Sequence, residues 1–288
     1  MMDPIVIDAH QRHANAVVFI SPDEILCSAG ADGLIKSWSV PDFRPIGTAF
    51  GHKDSVTTIS RHPGGHRIAS SSSHGTSKIW EIPSGRLIHS LEGQKLPHWT
   101  RDGRLLSTIA STGEIHHWDG SDFSHLAQIP APDRYLFAMA FPPNDDEILV
   151  GGTGIIYRLR LHDGALLSTL PGHGVAVQSL AISPDGKLLA STGAEGSVRI
   201  WDTVSWTLVR DIPLRTTGSL AVVWAHSGDM LAVADNRAVT FLPLDSELPS
   251  RRILVGGQGV LGLDCSHDGN WLAAACDDGK IRIWNLAT

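Results

Sequence analysis

The segment Pro184–Asp202, PDGKLLASTGAEGSVRIWD, carries the pattern that determines the fold. It begins with a Pro-Asp-Gly turn, continues as an apolar run, turns again at Glu195-Gly196 and ends on a strand that closes with Trp201. Pro, Asp and Gly favour tight turns because they restrict the backbone angle φ or tolerate its positive values. Runs of about five or six residues between such turns have the usual length of β-strands. The segment therefore predicts a β-hairpin, and helical periodicity is almost absent from the chain.

The same pattern recurs along the chain. In seven segments, five residues separate a turn residue from a large apolar residue. The large apolar residues are Trp38, Trp80, Trp118, Leu159, Trp201, Phe241 and Trp284. Successive members are 38 to 43 residues apart, and each interval has room for four short strands. A nearly constant period of this length indicates a repeat architecture in which every repeat is one small antiparallel sheet.

The repeats resemble those of the WD-repeat β-propeller family over the whole chain. The Trp-Asp dipeptide of that family stands at Trp118-Asp119 and Trp201-Asp202, and its Gly-His pair stands at Gly51-His52 and Gly172-His173. The resemblance implies an all-β fold, a seven-bladed β-propeller with four-stranded antiparallel blades. It also implies that residues 1–288 form a single domain, in place of the two domains that the length first suggests.

The two chain ends are expected to meet in one blade. The last repeat ends at Thr288 with no room for a fourth strand, whereas Ile5–Asp8 precedes the first repeat as a spare strand. In the family that these repeats resemble, the N-terminal strand completes the last blade. Such pairing removes an open sheet edge and ties both termini into one sheet. We therefore expect a ring that is closed by the N-terminal strand.

The resemblance further implies a buried network of a His, a Ser or Thr, an acidic turn residue and the Trp of the repeat. The matching residues are His10, Ser28, Asp32 and Trp38 in the first repeat, His52, Ser70, His74 and Trp80 in the second, and His173, Ser191, Glu195 and Trp201 in the fifth. A buried imidazole needs one donor and one acceptor, which a hydroxyl and a carboxylate supply. Because the set recurs in register with the repeats and lacks a nucleophile-elbow motif, we interpret it as structural and predict no catalytic residue.

Three repeats depart from this pattern. Leu149, Leu231 and Ala274 stand where the Ser is expected in repeats four, six and seven. A half-satisfied buried network is costly, so the acidic residues of repeats six and seven need other partners. We expect Asp235 and Asp278 to reach water or a backbone N–H.

The charge balance and the terminal sequence exclude several functional classes. The 23 Lys and Arg residues against 30 Asp and Glu give a net charge of −7, which argues against a nucleic-acid partner. No signal peptide or membrane span is recognisable, and Cys27, Cys265 and Cys276 lack the spacing of a disulfide framework or a zinc site. We expect reduced cysteines, a cytoplasmic location and no membrane partner.

Fifteen histidines raise the question of a metal site. His62 and His66 flank a Pro-Gly-Gly turn instead of lying on one helix face, and the adjacent His116 and His117 point to opposite faces of a strand. The sequence also has no glycine motif for binding phosphates. It therefore predicts no metal, no cofactor and no enzyme activity.

Some residues outside the repeat pattern serve packing or contact. Trp99, Trp224 and Trp271 stand at strand positions that are mostly apolar in other repeats, which favours the core. Trp206 occupies an outer turn where repeats usually place Gly, so it either packs over a neighbouring repeat or forms a peripheral contact. The pair Arg251-Arg252 is interpreted as a solvated strand edge that discourages sheet pairing.

Small propellers of the family that this chain resembles mostly act as rigid platforms for peptides or domains, commonly on the narrower face around the central channel. We therefore predict a non-catalytic scaffold that acts as a monomeric propeller within a protein complex. The candidate partner-binding residues lie in or near the loops that enter the innermost strands: His13, Asn15, Lys53, Asp54, Ser55, Lys95, Arg134, Tyr135, Gln178, Thr216 and Asp277. The alternative is a propeller that binds a small molecule or catalyses a reaction at the channel mouth.

Overall fold

The computed structural model describes residues 3–20, 22, 25–144, 146–214, 221–245, 249–255 and 259–287. Within these residues the chain forms β-strands joined by turns and loops, and none of them lies in a helix. The described part of the chain accordingly has no helix that is long and apolar enough to cross a membrane. The predicted all-β class is confirmed.

The strands are short and follow one another through tight turns. Those of the first half are β1 (Ile5–Asp8), β2 (Ala14–Ile20), β3 (Ile25–Gly30), β4 (Ile35–Ser39), β5 (Pro45–Ala49), β6 (Val56–Arg61), β7 (Arg67–Ser72), β8 (Thr76–Glu81), β9 (Arg86–Glu92), β10 (Gln94–Trp99), β11 (Leu105–Ala110), β12 (Ile115–Asp119) and β13 (His125–Ile129). Those of the second half are β14 (Ala138–Ala140), β15 (Glu147–Gly151), β16 (Thr153–Arg160), β17 (Leu166–Ile182), β18 (Leu188–Gly193), β19 (Ser197–Asp202), β20 (Leu208–Pro213), β21 (Val222–Trp224), β22 (Met230–Ala234), β23 (Ala238–Pro243), β24 (Arg251–Leu254), β25 (Val260–Cys265), β26 (Trp271–Cys276) and β27 (Lys280–Asn285).

The chain divides into two compact units. The first comprises Met1–Thr112, His116–Leu126 and Leu261–Thr288, and the second comprises Gly113–Ile115 and Ala127–Val260. In the first unit, β2–β5 and β6–β9 are four-stranded antiparallel sheets in which consecutive strands are neighbours. The second unit contains the equivalent sheet β21–β24, and β10–β13 has the same strand order. Hairpin turns between consecutive strands produce this order, as the repeat pattern predicts.

The sheet β14–β20 differs because one long strand belongs to two successive repeats. The 17-residue strand β17 pairs with β16 through its first part and with β18 from Val177 onwards. The strand β17 continues through Pro171–Gly174 without a turn. Gly172 adopts a φ of 152°, which lets the chain change partners without folding back.

The two ends of the chain lie in one sheet of the first unit, in the order β1-β27-β26-β25. Strand β1 pairs with β27 in antiparallel register from Ile5 opposite Ile283 to Asp8 opposite Lys280. The Lys280 ammonium lies 3.2 Å from the Asp8 carboxylate. Ile7 packs against the apolar cluster that continues into the sheet β2–β5, so β1 is held by side chains as well as by backbone pairing.

Within each unit the sheets pack on one another through both faces. Side chains alternate along a strand, so Val17 and Phe19 of β2 enter one cluster while Val18 and Ile20 enter the next. Trp80, fully buried, lies in the second of these clusters. Each large apolar side chain buried in this way contributes about 1.5–3 kcal/mol.

Aromatic residues occupy a strained turn position in three repeats. Phe43, Phe123 and Trp206 have φ values of 51°, 63° and 57°, where the second and fourth repeats have Gly85 and Gly164. A side chain at positive φ is unfavourable, so packing must compensate. The Phe43 ring lies 5.1 Å from that of Trp271, the Phe123 ring 6.0 Å from that of Trp99, and the Trp206 ring 4.8 Å from the Arg158 guanidinium. Of the two alternatives for Trp206, the structure shows packing.

Candidate functional site

The first repeat contains a continuous buried chain of hydrogen bonds. The Trp38 indole N–H donates to Ser28 Oγ at 3.1 Å, the Ser28 hydroxyl lies 3.0 Å from His10 Nε2, and His10 Nδ1 lies 2.9 Å from Asp32 Oδ1. Burial lowers the pKa of His10, and the carboxylate only partly opposes this effect. A neutral imidazole that donates from Nδ1 and accepts at Nε2 satisfies every polar atom of the chain.

The fifth repeat repeats this geometry with a longer acid. The Trp201 N–H donates to Ser191 Oγ at 2.9 Å, which lies 2.8 Å from His173 Nε2. His173 Nδ1 donates to Glu195 Oε1 at 2.7 Å, and the hydroxyl of Ser197 donates to the same oxygen at 2.6 Å. Ser197 thus supplies a second donor to Glu195 Oε1, whereas Glu195 Oε2 is buried without a partner.

The second repeat contains only part of the network. Trp80 donates to Ser70 Oγ at 2.8 Å, and Ser70 lies 2.7 Å from His52 Nε2. The expectation that His74 is the fourth member is wrong, since its ring turns to Asp54 at 3.2 Å and leaves His52 Nδ1 buried without a partner. Burial, with the nearby Lys78 ammonium, lowers the pKa of His52 to about 4. In the first and fifth repeats a carboxylate at this turn accepts from the histidine Nδ1. His74 does not take this role toward His52, because its ring faces Asp54 instead.

The third repeat uses an amide where the histidine is expected. The Trp118 N–H donates to Thr108 Oγ1 at 2.8 Å, and that hydroxyl donates to Gln94 Oε1 at 2.6 Å. Thr108 precedes Trp118 by ten residues, as Ser28 precedes Trp38. This spacing was the signal that the sequence reasoning overlooked.

In repeats six and seven an arginine side chain donates hydrogen bonds to the turn carboxylate. Asp235 accepts from the backbone N–H of Arg237 and Ala238 and from the Arg252 guanidinium at 2.9 Å. Asp278 accepts from the N–H of Lys280 and, through both oxygens, from Arg282 at 3.0 and 2.7 Å. The expected backbone bonds are therefore present.

The arginines were not foreseen. The guanidinium of Arg282 lowers the pKa of Asp278 further below its usual range. Arg252, interpreted from the sequence as part of a solvated edge, instead binds the buried Asp235 while a part of its side chain stays exposed. The reading of Arg252 as only a solvated edge is wrong, because the turn of its own sheet holds an acidic partner within reach.

The networks and turns position loops that carry the predicted face residues of the first unit. His13 Nδ1 lies 2.6 Å from the carbonyl of Asp277, whose own Oδ1 is buried without a partner. The Asn15 amide donates to Ser55 Oγ at 2.9 Å and to the Val56 carbonyl at 2.7 Å. These bonds join neighbouring loops, and they engage the polar side chains of His13, Asn15 and Ser55.

The remaining predicted residues of this unit differ in exposure. Lys53 is exposed, and the half-buried Asp54 binds His74. Lys95 is half-buried with its aliphatic stem against Gly75. This part of the loop surface is polar and has charges of both signs.

A charged clamp, which the sequence did not reveal, joins three strands of the first unit. Asp264 of β25 accepts from the Phe19 N–H of β2 at 2.8 Å and from Arg61 of β6 at 3.0 Å. Arg61 also donates to the Phe19 carbonyl at 3.1 Å. In other repeats the position of Arg61 holds an uncharged residue, such as Phe19, Trp99 or Cys265, so only the contact itself identifies the clamp.

In the second unit the predicted face residues lie beside exposed apolar side chains. The Arg134 guanidinium lies 5.6 Å from the Tyr135 ring, and Gln178 is half-buried on β17. Tyr135 and Phe137 are 57% and 41% exposed, and Val175 of β17 is 45% exposed. We refer to Arg134, Tyr135, Phe137 and Val175 as the aromatic loop surface. The predicted Thr216 lies outside the described residues.

Short backbone contacts hold the loops of this surface together. Phe137 N–H donates to the Gly151 carbonyl at 2.8 Å, and Thr153 N–H donates to Asp133 at 2.8 Å. Gly154, with a φ of 75°, lies so close to the backbone of His173 that a Cβ at this position would be 2.6 Å from the His173 carbonyl oxygen. The exposed side chains therefore project from a constrained backbone. Of these side chains, the sequence analysis identified Arg134 and Tyr135 and missed Phe137 and Val175.

The described residues show little of the chemistry that catalysis requires. Burial raises the pKa of Cys27 and Cys265 to about 12, which leaves both thiols protonated and unreactive. Among the described residues, no group of three or more His, Cys, Asp or Glu is placed to hold a metal ion. The histidines with lowered pKa values in the first and fifth repeats are engaged in the structural networks.

Comparison with known protein families agrees with these repeats. The family model "WD domain, G-beta repeat" matches residues 4–39, 43–81, 164–202 and 249–285, just over half of the chain. The chain belongs to the WD40 repeat family. Each matched WD40 segment ends one residue after an anchor tryptophan, at Trp38, Trp80, Trp201 and Trp284. The segments outside the match include the WD40 repeats in which Leu159 and Phe241 replace that tryptophan.

Individual WD40 relatives are distant. WD repeat-containing protein SL1-17 of Schistosoma mansoni is 27% identical over 62% of this chain and 61% of its own length. Nuclear distribution protein PAC1 of Arthroderma benhamiae is 29% identical over 81% of this chain and 50% of its own length. Target of rapamycin complex subunit wat1 of Schizosaccharomyces pombe is 27% identical over 67% of this chain and 66% of its own. The chain thus spans about half to three fifths of the first two relatives.

Proposed function

We propose that this WD40 chain is a non-catalytic platform that binds partner proteins or peptides through its loops, the aromatic loop surface above all. The observation that carries the proposal is the exposure of Tyr135 and Phe137 beside Arg134 on a constrained backbone. Aromatic residues and Arg are the side chains most enriched at protein interfaces and in their energetic centres. Loops that are already ordered lose little entropy on binding.

We further propose that the repeats form a seven-bladed propeller whose ring is closed by β1. Seven evenly spaced anchor residues support the blade count. The pairing of β1 with β27 supports the closure, since it unites the first and last strands of the chain in one four-stranded sheet. A closed ring leaves no open blade face and explains how short sheets can present loops rigidly.

The partners that we propose are proteins, and the relatives support this choice. One is named as a subunit of the target of rapamycin complex, and Transcriptional corepressor LEUNIG_HOMOLOG of Arabidopsis thaliana is 23% identical over 91% of this chain. The net charge of −7 gives no support to a nucleic-acid partner. A cytoplasmic location remains a prediction.

The test is affinity capture from the native host with matched variants. We expect the double variant Tyr135→Ala with Phe137→Ala to weaken the captured partner by about 100-fold, since two central aromatic anchors contribute about 1–2 kcal/mol each. The control is Val204→Ala with Leu254→Ala, which removes side chains that are 84% and 73% exposed elsewhere in the same unit. Capture that is equally lost in both variants, or unaffected in both, contradicts the aromatic loop surface. A purified chain that retains no protein but turns over a small molecule contradicts the platform.

A further inference from the structure

Two histidines on neighbouring outer strands bring their ring nitrogens together at the surface of the first unit. His116 of β12 and His125 of β13 place Nδ1 and Nε2 at 3.0 Å from each other. His116 is half-buried and His125 is exposed. We propose that this pair is a two-nitrogen binding site for a divalent transition metal that favours tetragonal coordination, with Cu²⁺ as the best match.

The separation of the two nitrogens indicates the class of metal. With metal–nitrogen bonds of about 2.0–2.1 Å, as imidazole forms with zinc, nitrogens 3.0 Å apart subtend an angle of about 94° at the metal. That angle is close to the right angle between adjacent ligands in a square-planar or tetragonal site, and smaller than the tetrahedral angle of about 109°. The pair therefore fits adjacent equatorial positions of Cu²⁺ or Ni²⁺ better than a tetrahedral zinc site.

The surroundings hold both rings in place. Trp118 lies beside His116 with the ring planes only 17° apart and the centroids at 5.9 Å, and its edge meets His125 at 4.9 Å. The indole is itself anchored, because its N–H donates to Thr108 at 2.8 Å. Ligands that are oriented before binding lose less entropy when the metal arrives.

Binding requires no oxidation or reduction and no third side chain. In the neutral pair one ring donates its N–H to the other, and a change of tautomer moves that proton to the distal nitrogen of the same ring. Both rings then turn until their lone pairs face a common point, where they bind the metal without release of a proton. The remaining positions take water or a donor from a partner. The sequence analysis did not pair His116 with His125, because the two residues lie nine positions apart on two strands.

The test is a titration of the full chain with Cu²⁺ in a non-coordinating buffer at pH 7.5. We expect one tetragonal Cu²⁺ whose electron paramagnetic resonance spectrum shows two equatorial nitrogens. The variants His125→Ala and His116→Gln are each expected to weaken binding at least tenfold. The control His162→Ala removes an exposed histidine that lies beside Asp163, and we expect its affinity to equal that of the wild type.

Fluorescence locates the metal independently. Cu²⁺ quenches nearby indoles, so Trp118→Phe should abolish most of the metal-dependent quenching, and it should weaken binding less than His125→Ala does because both histidine ligands remain. The proposal is overturned if His125→Ala binds Cu²⁺ as tightly as the wild type, if the spectrum shows a single nitrogen, or if quenching persists in Trp118→Phe. Thermal unfolding of the histidine variants, expected to match the wild type, confirms that lost binding does not reflect lost folding.

Discussion

The first and last repeats solve the same structural problem with different side chains. In the first, Trp38 donates to Ser28 and Asp32 binds His10. In the last repeat, Ala274 occupies the position that Ser28 has in the first, so the Trp284 N–H is buried without a partner. Asp278 binds Arg282 in place of a histidine. The comparison separates what the repeat requires from what it tolerates.

The shared element is the turn carboxylate and its local backbone bond. Asp32 accepts from the Leu34 N–H at 3.2 Å, and Asp278 accepts from the Lys280 N–H at 3.1 Å. A bond to the residue two positions ahead orders the turn, whichever imidazole or guanidinium also binds the carboxylate. The cationic or imidazole partner therefore differs between these two repeats, whereas the turn carboxylate is common to both.

The largest expected effect comes from removing the strand that completes the last sheet. Deletion of residues 1–9 eliminates β1, its pairing with β27 and the packing of Ile7. We expect the melting temperature to fall by about 10 °C or more, because a loss of about 1 kcal/mol shifts it by roughly 2–4 °C in chains of this size. The control is deletion of residues 1–4, which leaves β1 intact. Equal unfolding curves for both deletions contradict a stabilising role for β1.

A smaller loss is expected when the first repeat is made to resemble the last. Ser28→Ala leaves the Trp38 N–H and His10 Nε2 buried without partners, at a cost of about 2–3 kcal/mol. The control is Ser37→Ala in the same sheet, whose hydroxyl has a weak contact with Cys27 Sγ at 3.5 Å. Urea denaturation measures both. If Ser37→Ala costs as much as Ser28→Ala, the network adds nothing beyond the burial of a serine.

The smallest effect has the opposite sign. Ala274→Ser supplies an acceptor for the Trp284 N–H at the position that Ser28 has in the first repeat, and we expect the free energy of unfolding to rise by about 1 kcal/mol. Ala273→Ser is the control, since this buried neighbour points to the other face of the strand and gains no indole partner. A Ser at 274 that destabilises as much as one at 273 shows that the indole does not reach it.

Spacing predicted some of the candidate site and missed other parts. The 22-residue interval between His10 and Asp32 is a property of one hairpin and the loop before it, so it recurs wherever the hairpin does. It failed at His74, because an imidazole at the turn faces Asp54 of a neighbouring loop. It also overlooked Gln94, which accepts from Thr108 although its side chain is chemically unlike that of histidine.

The spacing of residues along the sequence could not predict which side chains are exposed or which side chains meet across strands. Phe137 stands in a loop with no repeated pattern, and only the packing of its neighbours leaves its ring open. The pair of His116 and His125 forms because a turn folds one strand beside the next with both rings on the same side. The clamp of Arg61 on Asp264 joins residues 203 positions apart.

Strands, turns and the order of strands in the sheets were therefore readable from local sequence, since alternation and turn residues act over a few positions. The arginine partners of Asp235 and Asp278, the aromatic loop surface and the paired histidines were settled by folding. These features depend on where side chains from distant segments meet, and on which groups are left in water once they have met. That information lies in the packing of one sheet on the next, which no local pattern contains.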